Sequence, residues 1–192
     1  MDRRQLLQHG LAGGVVLAGG GVLAAAAAAA PPDGDLASLR IAIAAELLKL
    51  DFAAEALAGG SAGPATVALL KGMRADDTAH ANGLASLLTG AGQTPATADD
   101  IDFSYPSGSF ASDGSIAKLA GTLTALTLGA YLGALESLQT PRFRLAFAQI
   151  AANEAQQASA AAAHLGRPAV GAAFAAALDA DQVTTALDRY ES

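Results

Sequence analysis

Long apolar segments bounded by glycine and proline constrain the fold of this chain more than any other feature. Ala and Leu, which favour helices, dominate each segment, and the turn-forming residues lie between them. Proline also begins two of the segments, as it often does in the first turn of a helix. The sequence therefore predicts four long helices and a shorter fifth, over residues 35–58, 64–89, 115–139, 141–166 and 170–189.

The composition narrows the class of protein further. Apolar residues make up 52% of the 192 residues, which is too many for a disordered chain. Cysteine is absent, which excludes disulfides and thiolate metal sites, and the aromatic fraction is only 5%. The formal net charge of −7 makes nucleic acid a poor partner for the surface as a whole.

The connections between the predicted helices suggest a topology. Short links join the first helix to the second and the third to the fourth, so each pair is expected to be antiparallel. The segment from Gly92 to Gly114 is much longer, and apolar residues such as Phe103 and Phe110 lie along it. A loop of this length can travel the length of a bundle. We expect an all-α, up-down four-helix bundle with a long crossover between helices 2 and 3 and a short C-terminal helix.

Residues 1–30 have the features of an export signal. Arg3 and Arg4 precede an uncharged stretch, from Gly10 to Ala30, that is rich in Leu, Val, Gly and Ala. The paired arginines resemble those of a twin-arginine signal, which implies a periplasmic or otherwise exported protein whose domain spans 31–192. The alternative is an uncleaved anchor, because about 20 apolar residues can just span a bilayer. Membrane contact is expected only in that case.

Ionisable residues interrupt the apolar stripes of three predicted helices. Glu46 lies in the stripe of helix 1, Asp77 and His80 in that of helix 2, and Glu154 in that of helix 4. The i, i+3 spacing places Asp77 and His80 on one face, where both can reach the same ion. A buried carboxylate is costly unless it is paired or shares a cation. The sequence therefore predicts a metal site at these four residues, with Gln157, Thr124 and Tyr131 as weaker candidates.

A metal-free explanation of the same residues remains open. His80 can form a salt bridge with Asp77, and Glu46 can accept a hydrogen bond from Gln157 or Tyr131, which gives a buried polar network. Two nearby residues add further alternatives. Asp76, four residues before His80, can take the place of Asp77, and His164 near the end of helix 4 is expected to interact with the helix dipole rather than with a metal.

Several short motifs together resemble a known family. In chain order they are Ala45-Glu46-Leu47-Leu48, Asp77-Thr78-Ala79-His80, Phe103-Ser104-Tyr105-Pro106, Ala130-Tyr131-Leu132-Gly133-Ala134 and Ile150-Ala151-Ala152-Asn153-Glu154. With this order and spacing, the chain resembles the ferritin-like domain family of exported bacterial proteins that also includes the plant desiccation-related proteins. The resemblance implies a ferritin-like bundle with a carboxylate-bridged metal site between its helices.

The chain departs from the family pattern at three ligand positions. Asp77 stands where the family has Glu, Gln157 stands where it has His, and Thr124 replaces the glutamate of helix 3. The remaining set of three carboxylates and one imidazole suits a single iron(II), manganese(II) or zinc ion and leaves a second position weak or empty. No other cofactor is expected.

The functional expectation follows from this reduced ligand set. One hypothesis is an exported protein that binds one metal ion and acts in envelope metal handling or stress protection. The alternative is a metal-free bundle with a structural or partner-binding role. Neither hypothesis requires catalysis, because oxygen-activating chemistry usually needs two irons. The Ala-rich surfaces of helices 4 and 5 would permit a homodimer, and the sequence identifies no protein partner.

Overall fold

The computed structural model describes residues 30–192, so the predicted signal segment lies outside the described residues except for Ala30. These residues form five α-helices: α1 Asp33–Ala58, α2 Pro64–Gly90, α3 Asp113–Ser137, α4 Pro141–His164 and α5 Ala180–Leu187. Two short 3₁₀ helices, Ala98–Asp100 and Asp188–Tyr190, accompany them. Within 30–192 there is no strand, and one isolated bridge joins Phe103 to Glu191. The predicted all-α class is confirmed for this part of the chain.

Local signals explain where the first four helices begin and end. Pro64 and Pro141 lie in the first turns of α2 and α4. The hydroxyl of Ser112 accepts a hydrogen bond from the backbone N–H of Ser115, which caps α3. After α4, Gly166 has a φ of 68°, a conformation that glycine adopts without strain. Each observed boundary lies within two residues of the predicted one.

The predicted extent of the fifth helix, 170–189, is wrong. The helix covers only Ala180–Leu187, and residues 165–179 contain no regular helix. Asp179 caps the N-terminus through a capping box with Gln182, so the helix starts at this signal rather than ten residues earlier. Val183 and Leu187 are buried, and they hold the short helix against the rest of the protein.

The helices bury two hydrophobic clusters: α1, α2 and α3 contribute buried residues to both, α4 to one and α5 to the other. α1 packs against α2 and α3, and α4 packs against α3 and α2, whereas α5 contacts α1 and α3. α3 is long and apolar enough to cross a membrane, but 61% of its most apolar 18-residue stretch is buried within the protein. Because the core helix of a bundle has the same composition as a membrane span, burial explains its hydropathy.

The segment between α2 and α3 is anchored by aromatic contacts to α1. Phe110 stacks on Phe52 with their ring centroids 5.7 Å apart, and Tyr105 meets Phe110 edge-on at 5.1 Å. The Tyr105 hydroxyl also donates a hydrogen bond to Asp51 at 2.7 Å. This segment therefore packs against α1 at Asp51 and Phe52, a few residues beyond Glu46.

Candidate metal centre

Three helices bring the predicted site residues together in the core. Glu46 extends from α1, Asp77 and His80 extend from α2, and Glu154 extends from α4. Each offers one ligand atom, and these atoms all lie within 4.8 Å of one another. The three carboxylate residues are at most 1% exposed, and His80 is partly buried. The helix faces inferred from the sequence are therefore those that meet in the structure.

Lys49 is the member of this cluster that the sequence analysis missed. Its ammonium nitrogen lies 2.7 Å from Asp77 Oδ1 and 2.7 Å from each carboxylate oxygen of Glu154. It also donates to Gln157 Oε1 at 3.2 Å. The side chain is buried, so the protein places a positive charge of its own among the carboxylates. The sequence contained a pattern that could have identified Lys49. It follows Glu46 by three residues, the same spacing that places Asp77 and His80 on one helix face.

Two of the weaker candidates support the cluster through hydrogen bonds. Gln157 donates to Asp77 Oδ1 at 2.9 Å, and the buried Tyr131 hydroxyl donates to Glu46 Oε1 at 2.6 Å. The expected bond between Glu46 and Tyr131 is thus present. The Thr124 hydroxyl is also buried, but it donates to the Ala120 carbonyl oxygen within its own helix at 2.9 Å.

The two alternative residues lie outside the group of ligand atoms. Asp76 is exposed and accepts a hydrogen bond from Asn153 Nδ2 at 3.3 Å, so Asp77 rather than Asp76 reaches the cluster. His164 lies in the last turn of α4, where a basic residue suits the helix dipole. Its Nε2 is 2.7 Å from the hydroxyl of Thr66.

Burial and close charges shift the pKa values of three cluster residues. Burial lowers the pKa of His80, but Glu154 Oε1 at 3.3 Å and Glu46 Oε1 at 3.4 Å from Nδ1 outweigh it and raise the pKa to about 9. Burial raises the pKa of Asp77 to about 6, although Lys49 opposes the shift. For Lys49, the attraction of the surrounding carboxylates outweighs burial and raises the pKa above its usual value.

Two atoms of the cluster have no hydrogen-bond partner although they are buried. They are Glu46 Oε2 and His80 Nδ1. The Nδ1 atom lies 3.3 to 3.9 Å from three carboxylates but forms no hydrogen bond. A buried polar atom without a partner is costly, and an ion bound by both atoms would offset that cost. Carboxylate oxygen and imidazole nitrogen together suit iron(II), manganese(II) or zinc. The donor set therefore fits one divalent ion.

Comparison with known proteins agrees with this arrangement. No curated protein matches the chain. The model of the ferritin-like domain family matches residues 34–167, which span α1 from its second residue through α4 and include every residue of the polar cluster. Since this match covers well over half of the chain, the protein belongs to the ferritin-like domain family.

Proposed function

We propose that this chain is an exported ferritin-like protein that binds one divalent metal ion, with a role in envelope metal handling or stress protection. Iron(II), manganese(II) and zinc are the candidate ions, and Glu46, Asp77, His80 and Glu154 are the candidate ligands. In this proposal α1 to α4 form an up-down four-helix bundle, and residues 91–112 are the crossover between α2 and α3. Family membership and the clustered ligand atoms support the proposal.

The unpartnered Glu46 Oε2 is the observation that carries the metal proposal. Glu46 is fully buried, and only its other carboxylate oxygen is used, by Tyr131. Charge leads to the same conclusion. Three carboxylates face one lysine ammonium, so two negative charges are left for other groups to balance. Protonated His80 balances one of them, whereas a divalent ion beside neutral His80 balances both.

The surrounding side chains prepare the site for such an ion. Tyr131 fixes Glu46 through Oε1 and leaves Oε2 free, while Gln157 and Lys49 fix Asp77 through Oδ1. These bonds hold the carboxylates in place before an ion arrives, which lowers the ordering cost of binding. A bound ion would supply Lewis acidity and, if it is iron or manganese, a redox centre.

The second candidate function is a metal-free bundle with a structural or partner-binding role. The contacts of Lys49 favour it, because this residue already neutralises part of the cluster through bonds of 2.7 Å to Asp77 and Glu154. Under this hypothesis the polar network only specifies how the helices pack. It predicts that a chelator leaves thermal stability unchanged and that the Glu46→Gln variant is tolerated.

The deciding experiment is elemental analysis of the protein after export by a bacterial host with its own N-terminal segment. Protein recovered from the periplasm should contain iron, manganese or zinc at close to one ion per chain. Mass spectrometry of the same sample shows whether residues 1–30 have been removed. If the protein remains in the cytoplasm, the export proposal is wrong.

Matched histidine variants connect the metal content to this site. His80→Gln should reduce the metal content strongly, because it removes the nitrogen ligand. His164→Gln makes the same change at a histidine that contacts Thr66 instead, so the metal content should not change. A wild-type protein that holds almost no metal, even after incubation with each candidate ion, would leave the metal-free function as the better explanation.

A further inference from the structure

Two parts of the polar cluster could each hold a cation. The first contains the unpartnered buried atoms Glu46 Oε2 and His80 Nδ1. The second is taken by Lys49 Nζ among the oxygens of Asp77, Glu154 and Gln157. We propose that the Lys49 ammonium is a built-in cation that holds the place of a second metal ion and so restricts the centre to one ion. This inference rests on the proposed function.

The environment of Lys49 Nζ is one that would also suit a metal ion. Four oxygens accept hydrogen bonds from it: Asp77 Oδ1, both Glu154 oxygens and the Gln157 amide oxygen. Oxygens of these kinds can also ligate a metal ion. The ammonium has three protons, and these contacts use all of them. A metal ion could reach the same oxygens only by displacing Nζ.

Glu154 connects the two cation positions. Its Oε1 lies 2.7 Å from Lys49 Nζ and 3.3 Å from His80 Nδ1. Asp77 Oδ1 also lies between the two residues, 2.7 Å from Lys49 Nζ and 3.9 Å from His80 Nδ1. A carboxylate shared in this way can bridge two cations, and here one of the two is part of the polypeptide.

Removing the ammonium should therefore create a second metal position. Without it, Asp77 and Glu154 are buried carboxylates that lack their cation, and Gln157 contributes a neutral oxygen beside them. A buried, uncompensated charge is unfavourable, and either a proton or a metal ion would relieve it. The Lys49→Met variant keeps an unbranched side chain of similar length while it removes the charge.

The test is a titration of wild-type protein, Lys49→Met and Lys71→Met with manganese(II). Lys71 is exposed on α2, so its variant carries the same chemical change away from the cluster. Elemental analysis after removal of free ion gives the stoichiometry. Electron paramagnetic resonance separates an isolated manganese(II) ion from two exchange-coupled ions. We expect a single isolated ion in the wild type and in Lys71→Met, and a coupled pair in Lys49→Met.

The outcomes separate this inference from the proposed function. If the wild type binds no ion but Lys49→Met binds one or more, Lys49 occupies a metal position as inferred, but the proposed one-ion function fails. If both bind a single ion, the proposed function stands and the inference is overturned. A coupled pair in the wild type would also overturn the inference, and this arm does not depend on how well a variant folds.

A folding defect in the variant is also informative. Should Lys49→Met fold only when manganese(II) is present, the requirement for an added cation would itself support the inference. Lys49→Gln provides a second neutral variant with its own polar group. If both neutral variants fold without metal and bind no more ion than the wild type, Lys49 does not occupy a metal position.

Discussion

Two buried aspartates in this protein reach opposite electrostatic outcomes. Asp35 near the start of α1 is 2% exposed, and Asp77 in the central cluster is 1% exposed. Burial raises the pKa of Asp35, but hydrogen bonds from Thr140 and Gln139 outweigh it, and the pKa lies below its usual value. The pKa of Asp77 is raised to about 6 because burial outweighs the attraction of Lys49.

The partners explain the difference. The Thr140 side chain lowers the pKa of Asp35 most, and Asp35 also accepts from the backbone N–H groups of Gln139 at 3.0 Å and Thr140 at 2.7 Å, in the link between α3 and α4. These donors are fixed by the fold and carry no ionisable proton. Asp77 depends instead on side chains, Lys49 and Gln157, which can move or be replaced. Asp35 is therefore held by neutral donors, two of them in the backbone, whereas Asp77, a proposed metal ligand, is held by the side chains of Lys49 and Gln157.

The largest expected effect on stability is the loss of Lys49. In the presence of a chelator, Lys49→Met should lower the free energy of unfolding by about 3–5 kcal/mol, because it leaves buried carboxylates without their cation. Urea denaturation followed by circular dichroism measures the change. Lys71→Met, at an exposed position, should stay within about 0.5 kcal/mol of the wild type. Equal stability of the two variants would show that the cluster does not need the ammonium.

The backbone-held carboxylate should produce a smaller effect that is independent of metal. Asp35→Ala removes the acceptor for two backbone N–H groups, so we expect a loss of about 1–3 kcal/mol. Asp33→Ala is the control, because Asp33 lies in the same first turn but is exposed. It should lose only about 0.3–1 kcal/mol through the helix dipole. If added metal changes the stability that Asp35→Ala loses, Asp35 does not differ from Asp77 as the structure indicates.

The sequence predicted the helices better than the complete cluster. Proline, glycine and helical periodicity are local signals, and they located α1 to α4 to within two residues. The same periodicity placed Glu46, Asp77 and Glu154 on buried faces. Lys49 was missed because a lysine is usually exposed, and only the structure shows that side chains of α2 and α4 surround its ammonium.

The predicted extent of the fifth helix was wrong for a related reason. Residues 170–179 are rich in alanine and therefore favour a helix, but they remain irregular in the structure. Leu178 donates its backbone N–H to the carbonyl oxygen of Gly129 at 2.9 Å, so a contact with α3 replaces a helical bond there. Tertiary contacts of this kind leave no local pattern in the sequence.

The two aspartates should also differ in how stability depends on pH. With a chelator present, Asp77 has a folded pKa of about 6 against 3.8 for an unperturbed side chain. Its contribution is therefore complete below about pH 4 and is lost as the pH rises through about 6. Asp35 has a lowered folded pKa, so its contribution is present above about pH 4 and is lost as the pH falls further.

Urea denaturation at a series of pH values tests these signs. Relative to the wild type, Asp77→Asn should remove the decline in stability between about pH 4 and pH 6. Asp35→Asn should instead reduce the loss below about pH 4. If both variants alter the same pH range in the same direction, the two aspartates do not differ as the structure indicates.

The smallest effect is expected from a substitution of Asp76. Asp76 and Asp77 are adjacent in sequence, but their side chains point in different directions. Asp76→Asn and Asp77→Asn are the same chemical change one residue apart on α2, but Asp76 is exposed and Asp77 is buried in the cluster. Asp76 reaches the cluster only through Asn153, which accepts a bond from Gln157 at 3.0 Å. We expect Asp76→Asn to change stability by less than about 0.5 kcal/mol and to leave the manganese(II) affinity unchanged. Asp77→Asn should weaken binding by at least about 10–100-fold, the range found when only a hydrogen-bond partner of a metal ligand is removed. A comparable loss in Asp76→Asn would mean that the surface carboxylate, through Asn153 and Gln157, also helps to hold the ion.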